Sequence, residues 1–356
     1  MEDVRALPGG AGMGLTGWAR RGMAARARAA DLRWRQPPAM TVHPASGSPT
    51  VYYLSPHLPE PSGGVKVMYR HVDLLNEMGV SAAVLHEPDG FRCTWFANET
   101  RIVSASTIRL CANDILVIPE CYGPGLPVLP PDVRKFIFNQ GAYHTFDLID
   151  LESTKARAPY AEVPNLLGIL TVSRDSADLL SFSFPELAVF GTRPVIDAKL
   201  FHPGPQPGAR KLAFLPERRA AEQHQLLHML RGRDVDWELV PISGMTEAQV
   251  AATMREAAVF LSFSEREGFG LPPAEAMASG CYVIGYDGGG GREFFDPAYC
   301  APVADQTSFA KAVVQAVSRP IDELAALGAK ASEQVLGTYT VDGLREDLQA
   351  VYGQLT

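Results

Sequence analysis

A strand, a glycine-containing loop and a helix follow one another between residues 257 and 280, and this run constrains the fold most. The apolar segment Ala257–Leu261 is typical of a strand buried on both faces of a parallel sheet. Pro272-Pro273 suits a helix start, because proline there loses no needed N–H, and Gly280 ends the helix. The alternation predicts an α/β protein whose ligands bind at the carboxyl ends of its parallel strands.

Two carboxylates flank the loop of this run. Glu267 lies on the loop and Glu275 in the first turn of the helix, so both side chains can face one crevice. Gly268 and Gly270 allow the backbone to approach a ligand closely, and the free N–H groups of the helix start favour an anion. This set of groups suits a ligand that carries hydroxyls at both ends and phosphate in the middle, such as a nucleotide-sugar.

The same residues carry a resemblance to a known family. Glu267 and Glu275 enclose seven residues, and Glu-Gly-Phe-Gly-Leu-Pro with Glu-Ala-Met-Ala-Ser-Gly resembles the signature of the retaining family-four glycosyltransferases, the glycosyl transferases group 1. Without the flanking strands, glycines and prolines the pair of glutamates alone would be weak. The alternative is an ordinary helix start in which Glu275 only complements the helix dipole.

Composition narrows the class of protein. The 356 residues are enough for two ordinary domains, and the sequence has no apolar run long enough to span a bilayer. The net charge of -8 argues against nucleic acid as a partner. Five scattered cysteines have no zinc-type spacing and indicate reduced thiols in a cytoplasmic protein.

The first forty residues differ from the rest of the chain. Seven arginines stand there against three acidic residues, and the segment has no secretory apolar core. Three interpretations remain open: an unstructured tail, a basic amphipathic helix at residues 17–34 on a membrane surface, or sequence upstream of a true start at Met40. We expect an unstructured or dispensable extension, with membrane contact at most peripheral, at the inner face.

The first domain supplies candidate residues from several strand ends. Gly63-Gly64 opens a helix after the strand Val51–Ser55, and by resemblance to the family this turn faces the donor diphosphate. Glu120 ends a buried strand at the cleft edge. Tyr143 and His144 follow the next strand, and His144 matches the family's histidine of this domain. A capping or structural role is the alternative for His144.

The second domain begins after a proline- and glycine-rich hinge, Pro203–Gly208. Arg218 and Arg219 follow its first strand, where the family has an arginine and a lysine for the diphosphate. No lysine is present here, and the spacing is compressed. Glu293 follows the glycine turn that contains Gly290 and matches an acidic residue of the family; a flexible capped loop is the alternative.

Asp234-Val235-Asp236 spells the metal-binding triplet of another glycosyltransferase architecture. It lies in the turn before the strand at Trp237, at the amino end and away from the crevice. We interpret it as a surface turn, and we expect no metal and no cofactor, since arginine and helix dipoles neutralise the phosphate.

The resemblance implies the GT-B architecture, two Rossmann-like doubly wound domains that face each other across a cleft. It implies retaining transfer of a sugar from a nucleotide-diphosphate donor to a hydroxyl of a glycan, lipid-linked or small-molecule acceptor. The implied site is catalytic at Glu267, His144, Arg218 and Arg219, donor-binding at Gly63, Gly64, Gly268, Phe269, Gly270, Leu271, Glu275, Gly290 and Glu293, and acceptor-side at Glu120 and Tyr143.

The expected segments are a basic extension, an acceptor-side domain, a nucleotide-sugar-binding domain and a helix that crosses back, at residues 1–48, 49–203, 204–338 and 339–356. A non-catalytic sugar-nucleotide-binding subunit and a sugar-nucleotide epimerase on the same fold are the alternatives. A phosphorylase-like enzyme would need a cofactor lysine near the end of the chain, where no such motif stands.

Overall fold

The structure is a computed structural model that describes residues 26–153, 158–160, 163–353 and 355. In this part of the chain, strands and helices alternate to form two large parallel sheets and one small one. The strands are β1 (Val42–His43), β2 (Val51–Leu54), β3 (Ala82–His86), β4 (Ile102–Ser104), β5 (Leu110–Cys111), β6 (Ile115–Pro119), β7 (Arg134–Asn139), β8 (Leu166–Thr171), β9 (Val189–Gly191), β10 (Ala209–Phe214), β11 (Glu238–Pro241), β12 (Ala257–Glu267), β13 (Tyr282–Gly289) and β14 (Ala301–Pro302).

The helices pack on both faces of the sheets. They are α1 (residues 26–34), α2 (Gly63–Glu77), α3 (Arg174–Ser183), α4 (Ala220–Arg231), α5 (Glu247–Glu256), α6 (Leu271–Ala278), α7 (Gln306–Val317), α8 (Ile321–Thr338) and α9 (Val341–Tyr352). Short 3-10 helices lie at Glu120–Val128, Ala142–His144, Leu151–Ser153 and Gly290–Glu293. Of the described helices, none is both long and apolar enough to cross a bilayer.

Each large sheet reverses its strand order at one point. The first sheet has the order β4-β3-β2-β6-β7-β8-β9, and the second has β11-β10-β12-β13-β14. All pairings in both sheets are parallel. The order reverses between β2 and β6 in the first sheet and between β10 and β12 in the second, and such switch points open the crevices that bind ligands.

These two sheets confirm the predicted fold class. Strands such as β3 and β6 are buried along their whole length, as expected for parallel strands covered by helices on both faces. One hydrophobic core cluster includes residues of both domains, among them Tyr53, Phe260 and Tyr352. The two domains are therefore packed against each other.

The last helix of the chain lies on the first domain. The Tyr352 hydroxyl in α9 is 3.0 Å from the Tyr53 hydroxyl in β2. Arg193, which follows β9, donates two hydrogen bonds of 2.8 Å from its guanidinium to Asp347 in α9. The chain thus crosses from the second domain back to the first before it ends.

The described part of the amino-terminal extension is ordered, which differs from the expectation of an unstructured segment. Residues 1–25 lie outside the described residues. From residue 26 the chain forms α1, in which Arg28 pairs with Asp150 at 2.7 Å, and beyond it Arg35 donates to the carbonyl of Cys121 at 3.3 Å. The arginines that made the segment look like a solvated tail supply these contacts.

Two local predictions also differ from the structure. Gly63 and Gly64 are the first residues of α2 and not a turn before it. The glycines and prolines of residues 122–131 predict a loop, but most of this segment belongs to the 3-10 helix Glu120–Val128, which contains Pro124 and Pro127.

Candidate active site

A cleft of about 880 Å³ lies between the two domains. It is lined by the loop before α2 and the start of α2 in the first domain, and by the loops after β10, β11 and β12 in the second. Nine predicted site residues are among those that line it: Gly63, Gly64, Arg218, Glu267, Gly268, Phe269, Gly270, Leu271 and Glu275.

The loop between β12 and α6 brings the backbone into this cleft. Gly270 has a φ of 94°, in the left-handed region that glycine adopts without strain, and it precedes the first turn of α6. Gly268 lies against the first domain, since a Cβ there would be 1.8 Å from the carbonyl oxygen of Gln140. The first N–H groups of α6 are therefore near the place where the two domains touch.

Glu267 stands at the end of β12 and pairs with a cation across the strand ends. Its Oε1 is 3.0 Å from the Nη1 atom of Arg218, which follows β10. Burial raises the pKa of Glu267, while the charges of Arg218 and His144 act in the opposite direction. The site thus holds a carboxylate beside a half-exposed guanidinium, suited to hydroxyl and phosphate groups respectively.

Glu275 lies one helical turn into α6 and forms the second carboxylate of the cleft. Burial raises its pKa to about 7, the charge of Lys66 lowers it, and the charge of Glu247 raises it. Both glutamates of the sequence motif therefore line the same cleft, as the spacing predicts.

The start of α2 closes the cleft from the first domain. Ser62 precedes the helix without a side-chain cap hydrogen bond, so the first N–H groups stay available for a ligand. Gly63 faces α6, because a Cβ there would be 2.7 Å from the Leu271 side chain. Gln140, after β7, donates to the carbonyl of Gly64 at 3.0 Å and so holds the helix start.

The two adjacent arginines diverge. Arg218 lines the cleft, but Arg219 does not. The Arg219 guanidinium lies 4.3 Å from the centre of the Tyr286 ring and pairs with Glu222 at 3.1 Å. Its backbone has a φ of 43°. Of the two arginines, Arg218 is the one whose side chain lines the cleft, and the predicted phosphate-binding role of both stays a prediction.

Three first-domain candidates, Glu120, Tyr143 and His144, are not among the residues that line the cavity. The His144 Nδ1 atom is 2.8 Å from Asp147. The hydroxyl of Tyr143 donates to Asp175 at 2.6 Å. Glu120 accepts from the backbone N–H of Gln140 at 3.1 Å. His144 acts on Glu267 through its charge, whereas the predicted acceptor-side roles of Tyr143 and Glu120 stay predictions.

Gly290 and Glu293 are also outside the cavity lining. A Cβ on Gly290 would be 2.2 Å from the carbonyl oxygen of Gly268, so Gly290 supports the loop from behind. Glu293 accepts from the N–H of Arg174 and from the hydroxyl of Tyr339, both at 2.8 Å. With both carboxylate oxygens bonded to protein groups, Glu293 joins the domains in this structure, and its predicted donor-binding role stays a prediction.

The structure adds residues that the sequence did not single out. Lys66 in α2 forms an ion pair with Glu247, the first residue of α5, and both line the cleft. Trp95 and Met245 contribute apolar wall from opposite domains. Its position two residues after Gly64 could have indicated that Lys66 lies near the site. Its partner Glu247 is 181 residues away, so no local pattern in the sequence indicates this ion pair.

Asp234 and Asp236 lie in the turn between α4 and β11, and neither lines the cleft. Within the described residues, no group of three or more histidine, cysteine or acidic side chains is arranged to hold a metal ion. The cleft instead offers Arg218, Lys66 and two helix starts as positive elements.

Known proteins resemble this chain in both sequence and structure. Residues 225–334 match the family model described as glycosyl transferases group 1. An alpha-1,6-glucosyltransferase of Actinobacillus pleuropneumoniae serotype 7 is 26% identical over 253 residues, 64% of this chain and 69% of that protein.

Two solved structures share the overall architecture. Sucrose-phosphate synthase from Thermosynechococcus elongatus has a TM-score of 0.60 at 13% identity, over 86% of this chain and 99% of that one. Anabaena HepE, solved in complex with UDP and glucose, has a TM-score of 0.63 at 11% identity, over 85% of this chain and 99% of that one.

The fold is therefore the GT-B fold, with two Rossmann-like domains and a cleft between them. Within that class, residues 225–334 are similar to glycosyl transferases group 1, in agreement with the resemblance carried by the glutamate motif. The same matches support glycosyltransferase activity of the group 1 kind.

Proposed function

We propose that this protein transfers a sugar from a nucleotide-diphosphate donor to an acceptor hydroxyl with retention of configuration and without a metal ion. One observation carries the proposal: Glu267, Glu275, Arg218 and two helix starts line a single cleft between the domains. These groups are sufficient to bind a ribose, a diphosphate and a sugar.

Each group has a role that follows from its chemistry. The Glu275 carboxylate accepts hydrogen bonds from the ribose hydroxyls, and Glu267 accepts from hydroxyls of the donor sugar. The N–H groups at the starts of α2 and α6 bind the diphosphate together with Arg218. These donors stabilise the negative charge that develops on the leaving phosphate, and stabilisation of this kind usually contributes most to the rate enhancement.

The transfer step needs no protein nucleophile. The bond between the sugar's anomeric carbon and the phosphate oxygen breaks, and its electron pair stays on the phosphate. The acceptor oxygen bonds to the anomeric carbon on the same face, and its proton passes to the leaving phosphate. The relative from Actinobacillus, by its name an alpha-1,6-glucosyltransferase, supports a glucosyl group and an α product as first choices to test.

The experiment that tests this function incubates the purified chain with UDP-, ADP- and GDP-sugars and a panel of acceptors, with and without chelator. We expect release of nucleotide diphosphate and a product whose anomeric coupling, measured by NMR, equals that of the donor. The control is Glu265→Gln, because Glu265 is exposed near the end of β12 and does not line the cleft. Donor binding without turnover would instead favour a sugar-nucleotide-binding subunit, and a changed free sugar nucleotide would favour an epimerase.

A further inference from the structure

An ion pair joins the two domains inside the cleft. The ammonium group of Lys66, in the first turn of α2, donates to Oε1 of Glu247, the first residue of α5. The two side chains are 26% and 36% exposed. Both residues line the cleft, so the pair lies where a bound ligand and solvent can both affect it.

Glu247 is held in place independently of Lys66. It begins α5 directly after Thr246, whose side chain accepts from the N–H of Gln249 in a capping box. A carboxylate in the first turn of a helix is stabilised by the helix dipole. The Lys66 side chain therefore reaches from the first domain to an anchored acceptor on the second.

Other polar contacts also join the two domains, and one of them, from Arg255 in α5 to the carbonyl of Leu200 at 2.6 Å, involves the same helix as Glu247. Ser176 in α3 donates to the carbonyl of Gly268 at 3.2 Å, and the N–H of Arg174 donates to Glu293 at 2.8 Å. These contacts bound the cleft beside the β12–α6 loop, whereas the Lys66–Glu247 pair bounds it at the start of α5. The Lys66–Glu247 pair is thus separate from the contacts at that loop.

The Lys66–Glu247 pair is one of two ion pairs among the charged side chains of the cleft. Five charged residues line the cavity, namely Lys66, Arg218, Glu247, Glu267 and Glu275. Arg218 is paired with Glu267 and Lys66 with Glu247. The charge of Lys66 lowers the pKa of Glu275 and the charge of Glu247 raises it, so both members of this ion pair are near Glu275. The Lys66–Glu247 pair therefore stands beside Glu275, the carboxylate that the proposed function assigns to the ribose.

We propose that Lys66 is a positioning residue for the donor. Its ion pair with Glu247 holds the two domains together around the nucleotide and keeps the cleft in the closed arrangement that binds the donor. The inference rests on the proposed function only for the identity of the ligand. When fewer molecules occupy the competent arrangement, the apparent dissociation constant rises in proportion. At saturating donor the ligand itself restores closure, so the chemical step is unchanged.

The experiment compares Lys66→Met, Glu247→Gln and the charge swap Lys66→Glu with Glu247→Lys in the full chain. UDP, ADP and GDP are the probes, titrated by calorimetry, and the tightest is kept. The matched control is Lys211→Met, because Lys211 is equally exposed at 26% and pairs with Glu256 at 3.0 Å within the second domain.

We expect each single variant at the pair to weaken nucleotide binding about three- to tenfold, as for a partly exposed ion pair. The swap should recover most of that loss, donor KM should rise with unchanged kcat, and the control should match the wild type. Small-angle scattering of ligand-free Lys66→Met should show a larger radius of gyration than the wild type.

Two results would overturn the proposed role of the Lys66–Glu247 ion pair. Weak binding in Lys66→Met with normal binding in Glu247→Gln and no recovery in the swap would show that Lys66 contacts the ligand directly. An unchanged radius of gyration with unchanged affinity would show that the pair does not control closure. If the wild-type protein binds none of the three nucleotides, the proposed donor class fails. The scattering comparison still decides whether the Lys66–Glu247 ion pair keeps the domains closed.

Discussion

Replacing Glu275 by glutamine tests the electrostatics of the cleft. The change removes the charge of the carboxylate and keeps its size. Burial raises the pKa of Glu275 from 4.5 to about 7, so the folded protein binds this proton more tightly than the unfolded chain does. The protonated Glu275 therefore contributes fully to the free energy of unfolding below pH 4.5, and this contribution is lost as the pH rises through about 7.

The magnitude follows from the size of that shift. One pKa unit corresponds to about 1.4 kcal/mol, so the ionised Glu275 costs about 3 kcal/mol of folding stability at pH 8. Glu275→Gln does not ionise and avoids this cost. We expect the variant to be more stable than the wild type at pH 8 and nearly equal to it at pH 5, with a melting temperature roughly 4 °C higher at the upper pH.

The same variant should lose function. A neutral amide accepts a weaker hydrogen bond from the ribose than a carboxylate does, by about 1–2 kcal/mol. We expect nucleotide affinity to fall about tenfold. The wild-type Glu275 thus lowers the folding stability at pH 8 but strengthens nucleotide binding.

The assay is thermal unfolding of the ligand-free protein from pH 5 to pH 8, followed by calorimetry with the nucleotide at pH 8. Glu333→Gln is the control, because Glu333 is exposed on α8, away from the cleft. If the melting temperatures of Glu275→Gln and the wild type run parallel over the whole pH range, Glu275 does not carry a raised pKa and the reasoning is refuted.

Three further predictions concern the same cleft. Glu267→Gln should lower kcat about ten- to a hundredfold and leave the affinity for free nucleotide diphosphate unchanged, since contacts to the reacting sugar act mostly in the transition state; calorimetry beside steady-state rates checks this, and a matching loss of nucleotide affinity would contradict it. Asp234→Ala with Asp236→Ala should leave turnover within about twofold of wild type with or without chelator, whereas a manganese or magnesium requirement restored by titration would show that the triplet matters. Gly268→Ala places a methyl group 1.8 Å from the carbonyl oxygen of Gln140, so the domains must separate there and turnover should fall more than about tenfold; rates equal to wild type would show that the loop relaxes freely.

Much of the candidate site follows from local pattern. The apolar run that became β12, the glycines after it and the prolines of α6 place Glu267 and Glu275 at a strand end and a helix start. Strand ends of a parallel sheet meet at one edge, so the two carboxylates can face one crevice, and in the structure both line the cleft. The resemblance to the family placed Gly63 and Gly64 at the same site, and in the structure they are the first residues of α2 and line the cleft.

Contacts between distant residues were not accessible in that way. The left-handed backbone at Arg219 separates it from Arg218, and no sequence rule tells which of two adjacent arginines enters the cleft. Glu293 matched a family position, yet its carboxylate joins α3 and Tyr339.

The sequence by itself therefore determined the alternation of strands and helices, the GT-B class and the two motif glutamates, because each depends on residues close together in the chain. Only the tertiary structure decided which charges meet in the cleft. Lys66 and Glu247 are 181 residues apart, and their contact depends on how two separately folded sheets approach each other. That approach is set by the packing of both domains and of α9, which no local periodicity encodes.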